Sequence, residues 1–188
     1  MSRTLIAAPF FSVDGAASNP NGFQYDSFDE GLGAFMTRTL ERIDEVILGR
    51  VTYEMWAPYW STFSSDGPDQ AYADFINSAT KHVVSRSLAP EELTWSGSRL
   101  VEGELLDYVR ALKETEGGAI GVQGSMSVIR QLVEAGLVDE LTLIVHPAIA
   151  GASGCGLFEG AAPTRLRLLS VETTEKGNIL ATYGPFKD

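Results

Sequence analysis

Short apolar runs that end on a small residue and pass straight into a helix-periodic segment recur along this chain. That alternation restricts its fold more than any other feature. Val46-Ile47-Leu48 stops at Gly49, and a helical pattern starts from about Arg50. Ala119 to Gln123 stops at Gly124-Ser125, and Ile129, Leu132 and Val133 follow at helical spacing before Gly136. Runs this short are too short for helices and are bounded by Gly, so they read as strands buried on both faces. Leu5 to Ala8, Val83-Val84 and Leu141 to Val145 read the same way.

The segments between them are helical. Ser27-Phe28-Asp29-Glu30 has capping-box spacing, and behind it Leu32, Phe35, Met36, Thr39, Leu40 and Ile43 lie on one face. Tyr72, Phe75 and Ile76 mark a helix opened by Pro68, and Leu105, Tyr108, Val109 and Leu112 mark another. Ser12 to Gly22 reads as a loop and Trp56 to Gly67 as an aromatic loop. Leu166 to Thr174 and Ile179 to Tyr183 flank Glu175-Lys176-Gly177-Asn178 as an antiparallel hairpin. The expected architecture is a single α/β domain over residues 1–188, a mixed and mainly parallel sheet with helices on both faces, closed by the hairpin.

The net charge of -11, from 14 basic and 25 acidic residues, repels nucleic-acid phosphates and anionic membrane surfaces. No apolar run approaches membrane-span length, and the one after Met1 reads as the first strand rather than a leader. Cys155 is the only cysteine, which excludes an intramolecular disulfide and implies a cytoplasmic setting. Neither His82 nor His146 has a partner at metal-ligand spacing, so no metal site is expected.

In a parallel sheet the strand ends face the helix starts, where free N–H groups and the positive dipole end favour anions. Gly49-Arg50 with Thr52, Ser85-Arg86 after Val84, and Gly124-Ser125-Met126 each present such a junction. Each taken alone is equally an ordinary turn or a solvated strand end. Asp14, before Gly15, places a carboxylate just past the first strand, where turn chemistry is the competing explanation.

Taken in order, these segments resemble the dihydrofolate reductase-like superfamily. The nearest branch is the reductase domain of the bifunctional riboflavin-biosynthesis enzymes and its stand-alone relatives. The resemblance rests on Ser12-Val13-Asp14-Gly15, Leu48–Glu54, Val84-Ser85-Arg86, Val122–Ser125, Gly136–Leu141 and Pro147–Gly160, and spans nearly the whole chain. It implies NADPH along the carboxyl edge of a dihydrofolate reductase-like sheet. Ala7 and Gly15 would line the nicotinamide; Gly49, Arg50 and Thr52 would hold the pyrophosphate region. Ser85 and Arg86 would meet the 2′-phosphate, and Gly124, Ser125 and Met126 the remaining phosphate contacts.

The implied activity is NADPH-dependent reduction of a small heterocyclic or carbonyl substrate, with Asp14 as acid or orienting group. The alternative is a nucleotide- or ligand-binding module of the same fold without the chemistry. The chain departs from the family at Gly31-Leu32-Gly33-Ala34, where folate reductases carry a carboxylate, and at Gln123-Gly124-Ser125, where Glu-Gly-Gly is usual. The resemblance also implies a homodimer, placed at the Leu141–Val145 strand.

Overall fold

The computed structural model describes residues 2–67, 69–151 and 154–186. The first seven strands are β1 (Leu5–Ala7), β2 (Phe10–Ser12), β3 (Ile43–Gly49), β4 (Thr80–Val84), β5 (Ser98–Leu100), β6 (Ala119–Gly124) and β7 (Glu140–His146). The hairpin is β8 (Leu166–Thr173) and β9 (Ile179–Pro185). The helices are α1 (Glu30–Leu40), α2 (Arg50–Trp60), α3 (Asp69–Ser78), α4 (Leu105–Lys113) and α5 (Met126–Glu134). One nine-stranded sheet runs β5-β4-β3-β6-β1-β7-β9-β8. β2 prolongs the line of β1 along β7. Every pairing is parallel except those of β9 with β7 and β8, so the mixed sheet with a terminal antiparallel hairpin is as the alternation implied.

Strand periodicity sorts the core into layers. Leu5, Ala7, Ile47, Ile120 and Val122 turn to one face, beneath Val109 and Leu112 of α4 and Val128, Ile129 and Leu132 of α5. Ile6, Val46, Leu48 and Val83 turn to the other, beneath Tyr53 and Ala57 of α2, Ile76 of α3 and Trp95. α1 covers the hairpin side through Leu32 on Ile144 and Leu180.

Several local expectations are corrected. The Ser12–Gly22 loop is preceded by β2, which Pro9 separates from β1 because proline offers no N–H to a ladder. Ser27 does not cap α1: Asp29 does, accepting from Leu32 N at 2.9 Å, while Ser27 Oγ bonds Gln24 O and His146 Nδ1. Ile43 opens β3 rather than extending the helix face. Trp56 to Trp60 is helical, not loop; α2 continues through Pro58 while Trp56, Trp60 and Tyr72 pack edge to face around it. The polar three-residue strand β5 had no apolar run to announce it. Pro68 lies outside the described residues, as do Ala152 and Ser153 of the Pro147–Gly160 run. Leu141–Val145 is an interior strand with both edges paired, so a second copy cannot add to its backbone.

Charged groups are folded into the amino-terminal half of the sheet. Buried Arg3 binds Asp44, Glu45, Gly118 O and Thr115 Oγ1. Glu45 also accepts from His82 Nε2, whose Nδ1 lies 2.7 Å from Tyr108 Oη. Burial pushes the His82 imidazole below its ordinary 6.5, against the pull of Glu45. Burial also lowers His146. Burial would raise Glu45, but hydrogen bonds from Arg3 and His82 outweigh it and hold the carboxyl below its ordinary 4.5.

Both imidazoles therefore bind a proton later than they do in the unfolded chain. The histidine contribution is full above about pH 6.5 and falls below it as the unfolded state takes up protons the native state refuses; Glu45 adds a second loss below about pH 4.5. Burial holds Lys81 down at about 8, so stability also climbs as pH rises through about 8. Urea midpoints should accordingly change least near about pH 7, decline by about pH 5.5 and rise toward about pH 9. A midpoint that stays constant or rises over that acid range would contradict the sign.

Candidate functional site

The three junctions converge at the carboxyl edge. Gly49 pairs with Val84 and Leu48 with Gly124, so the ends of β4, β3 and β6 stand side by side. The two turns touch at their glycines, each against a side chain of the other: Gly49 against Ser125 and Gly124 against Thr52. A Cβ on Gly49 would sit 2.5 Å from Ser125 Oγ and 2.9 Å from Ser125 N. A Cβ on Gly124, at φ 134°, would sit 2.9 Å from Thr52 Oγ1. The Gly124–Ser125 peptide is cis.

This contact sets the starts of α2 and α5 next to each other. Their N-caps, Gly49 and Ser125, are extended and supply no side-chain cap, and neither helix has an acid in its first turn. α1, in contrast, is capped by Asp29 and begins with Glu30. Two neighbouring helix ends thus keep unsatisfied N–H groups and positive dipole ends facing one edge, the electrostatic requirement for an anion.

The flanking residues divide by what they can offer. Arg86 is exposed and, among the described residues, has no hydrogen-bond or ion-pair partner, so its guanidinium is available. Arg50 is held by Glu54 at 2.8 Å, an exposed i,i+4 pair that an incoming phosphate can displace at little cost. Ser85 Oγ accepts from Ser87 N and Leu88 N, shaping the loop and leaving its own proton to donate. Thr52 is buried against Gly124, so it acts as a spacer between the turns rather than a presented hydroxyl. Met126 packs half-buried on the α5 core, and Ala7 is buried with its methyl in that core, so each reaches the edge only through its backbone.

Asp14 stands beyond β2 and fastens two loops. Its Oδ1 accepts from Ser12 Oγ at 2.6 Å and Ala150 N at 2.9 Å, and Oδ2 accepts from Gly151 N at 2.8 Å. The Ser12 hydrogen bond foremost, then the two backbone donors, hold its pKa down at about 2. An ionised carboxylate with these partners suits the orienting half of the sequence expectation and not the acid half. The loop from Gly15, whose φ is 86°, is laced to the same segment by Ala17 N to Cys155 O and Cys155 N to Ser18 Oγ.

Residues 3–180 match the model of the RibD C-terminal domain. The chain belongs to that family. Among curated proteins it is similar to Bacillus subtilis YyaP, 24% identical over 96% of this chain and 94% of that one. Among solved structures it is similar to a riboflavin biosynthesis protein from Shewanella, with TM-score 0.72, 20% identity and full coverage of both chains. It is also similar to a Thermotoga maritima diaminohydroxyphosphoribosylaminopyrimidine deaminase/5-amino-6-(5-phosphoribosylamino)uracil reductase, with TM-score 0.67 and 15% identity. The match covers 98% of this chain and 57% of that longer one. These structural likenesses show the fold.

This RibD C-terminal domain also assembles groups that spacing did not bring together. Tyr72 Oη donates to Gln123 Oε1 at 3.2 Å, joining α3 to the end of β6 beside the Gly124–Ser125 turn. His146, fully buried at the end of β7, is ringed by Ser27, Phe10 and Phe23. Separations of 51 residues for Tyr72–Gln123 and 119 for Ser27–His146 carry no periodic signal, so only sheet order could reveal these pairs. Among the described residues no helix is long and apolar enough to cross a membrane, and no cluster of His, Cys, Asp and Glu could hold a metal ion.

The close approach at the two glycines is directly testable. Gly49→Ala forces the two turns apart and should lower stability by roughly 1–3 kcal/mol. Gly124→Ala adds backbone strain of about 1–3 kcal/mol at its positive φ. Thermal melts of both variants check this; melts matching the wild type would show that the turns have slack.

Proposed function

We propose that this RibD C-terminal domain is an NADPH-dependent reductase of a small heterocyclic or carbonyl substrate. The observation that carries the reading is the pair of uncapped, acid-free helix starts at Gly49 and Ser125, pressed together on neighbouring strands with an unpartnered Arg86 beside them. Such a cradle has the charge for a dinucleotide's phosphates, and a side chain at either glycine would collide with the neighbouring turn that forms it. Family membership and the printed names of the Shewanella and Thermotoga neighbours support the same chemistry.

In this reading the turn backbones of Gly49 and of Gly124, Ser125 and Met126 hold the pyrophosphate, together with Arg50 once it leaves Glu54. Arg86 and the Ser85 hydroxyl hold the 2′-phosphate. Thr52 keeps the turns in register, and the backbones of Ala7 and Gly15 border the nicotinamide end. NADPH supplies a hydride when bound. Asp14 keeps the loop after β2 fixed against the segment after β7 and walls the substrate end. Being ionised, it leaves the accompanying proton to come from water.

Two copies of the chain would meet at β8, the outer strand of the sheet, rather than at β7. Its outer edge is unpaired, and Leu168 and Val171 are exposed. Antiparallel pairing of two β8 strands can set Arg167 of each copy against Glu172 of the other and Leu168 against Val171, matching charge with charge and apolar with apolar. Leu168→Glu with Val171→Glu, which sets like charges against each other across the pair, should then convert a sedimenting dimer to monomer without lowering NADPH affinity; a monomeric wild type would refute the pairing.

The cofactor reading is tested by titration. Arg86→Ala should weaken NADPH by about tenfold while leaving NADH nearly unchanged, and Arg50→Ala should weaken both, NADPH more. Fluorescence titration of NADPH on the wild type with no change at millimolar concentration would sink the assignment.

A further inference from the structure

We infer that the substrate end of this cleft accepts an uncharged ring and rejects a phosphorylated one. The inference rests on the NADPH reading above and concerns the half of the cleft that the cofactor would leave open.

The distribution of cations carries it. From Thr4 to Thr37, covering β1, β2, the loop after them and the start of α1, the chain has no Lys or Arg. None occurs from Val51 to Thr80, which holds α2 beyond its first residue and α3. None occurs from Gln131 to Thr164, which includes the end of β7 and the segment that binds Asp14. Lys176 and Arg130, from other elements, are each bound to a backbone carbonyl. Lys176 of the β8–β9 turn donates to Asp26 O and lies 3.0 Å from Asp26 Oδ2. Arg130 of α5 donates to Glu159 O at 2.7 Å. That leaves Arg50 and Arg86, the two that the cofactor's own phosphates would take.

The exposed groups on these segments are instead apolar, neutral or negative. Val13 and Ile149 are exposed on loops joined by Val13 N to Ala148 O and by the Asp14 hydrogen bonds. Val51, Met55 and Tyr59 form an exposed i, i+4, i+8 stripe along α2, starting beside the Gly49 turn. Tyr25 is also exposed. The polar group one residue before Gly124 is the neutral Gln123, whose Oε1 is engaged by Tyr72 and whose amide N–H groups can donate to a ring edge. Asp14 stays ionised throughout the neutral range, so it meets a phosphate dianion with like charge. Apolar walls with a few neutral hydrogen-bond groups select planar uncharged ligands. The Thermotoga neighbour is named for a phosphoribosyl substrate, whose phosphate calls for a cation that none of these three segments contains.

The test uses the full chain saturated with NADP+, so that binding is read without turnover. The probes are 5-amino-6-(5-phosphoribosylamino)uracil, the compound in the neighbour's name, and the same compound without its phosphate. Calorimetry or ligand-observed NMR gives the two affinities at low and high salt. The dephosphorylated probe should bind at least about tenfold more tightly. The gap should narrow as NaCl rises from about 0.05 to about 0.5 M, because salt screens the repulsion. Equal or tighter binding of the phosphorylated probe overturns the inference, and so does failure of the dephosphorylated probe to bind. Absence of NADPH binding in the preceding titration would instead overturn the cofactor reading.

Discussion

The approach of Gly49 to Ser125, with no side chain between them, is the constraint on which the carboxyl edge depends. β3 and β6 are neighbours in the sheet but lie far apart in the chain, and each runs directly into a helix. For both helices to start at the same level, their turns must pass within backbone contact. Gly49 leaves room for Ser125 N and Oγ, and Gly124 leaves room for Thr52. Neither α2 nor α5 has a side-chain cap: Gly49 has no side chain, and the Ser125 hydroxyl is turned to Ser127 Oγ. The turns that pack together thus also leave both helix starts without a side-chain partner.

The opposite end of the sheet solves a different problem. Arg3, Glu45, His82 and Tyr108 form a largely buried polar chain in which each group's partners are on other strands or helices. Lys81, also fully buried, donates to the carbonyls of Asn77, Ala79 and Ser96. Such networks cost desolvation and are tolerated when every member is paired, and they fix which strand lies beside which. The site end can therefore keep unpaired donors while the far end holds the register.

The acidic surface looks unsuited to a phosphorylated ligand until the charges are placed. The net charge of -11 is a whole-molecule quantity, and cofactor phosphates respond to the few groups within a Debye length. At the carboxyl edge those groups are two helix starts, Arg50 and Arg86, with Asp14 across the cleft. In the proposed reading one fold carries an anion-binding half beside an anion-repelling half, and a ligand with charge at one end and a bare ring at the other would be oriented by that contrast.

The sequence by itself determined the element order, the mixed sheet and the positions of the three strand-end junctions. Those follow from local properties: apolar runs such as Val46-Ile47-Leu48, helical spacing such as Ile129, Leu132 and Val133, and glycines between them. It did not reveal β2, β5 or the passage of α2 through Pro58, where local propensity was overruled by pairing with β7 and β4 and by aromatic packing on Tyr72. Nor could it assign duties within the site. Thr52 and Asp14 look like ligand groups on the page, yet Thr52 is a spacer and Asp14 a fastener, because their partners, Gly124 and Ala150 with Gly151, are more than 70 residues away in the chain, Asp14's by 136 and 137. Which strand ends become neighbours is decided by sheet order, a long-range property that no window of sequence contains, and only the tertiary structure supplies it.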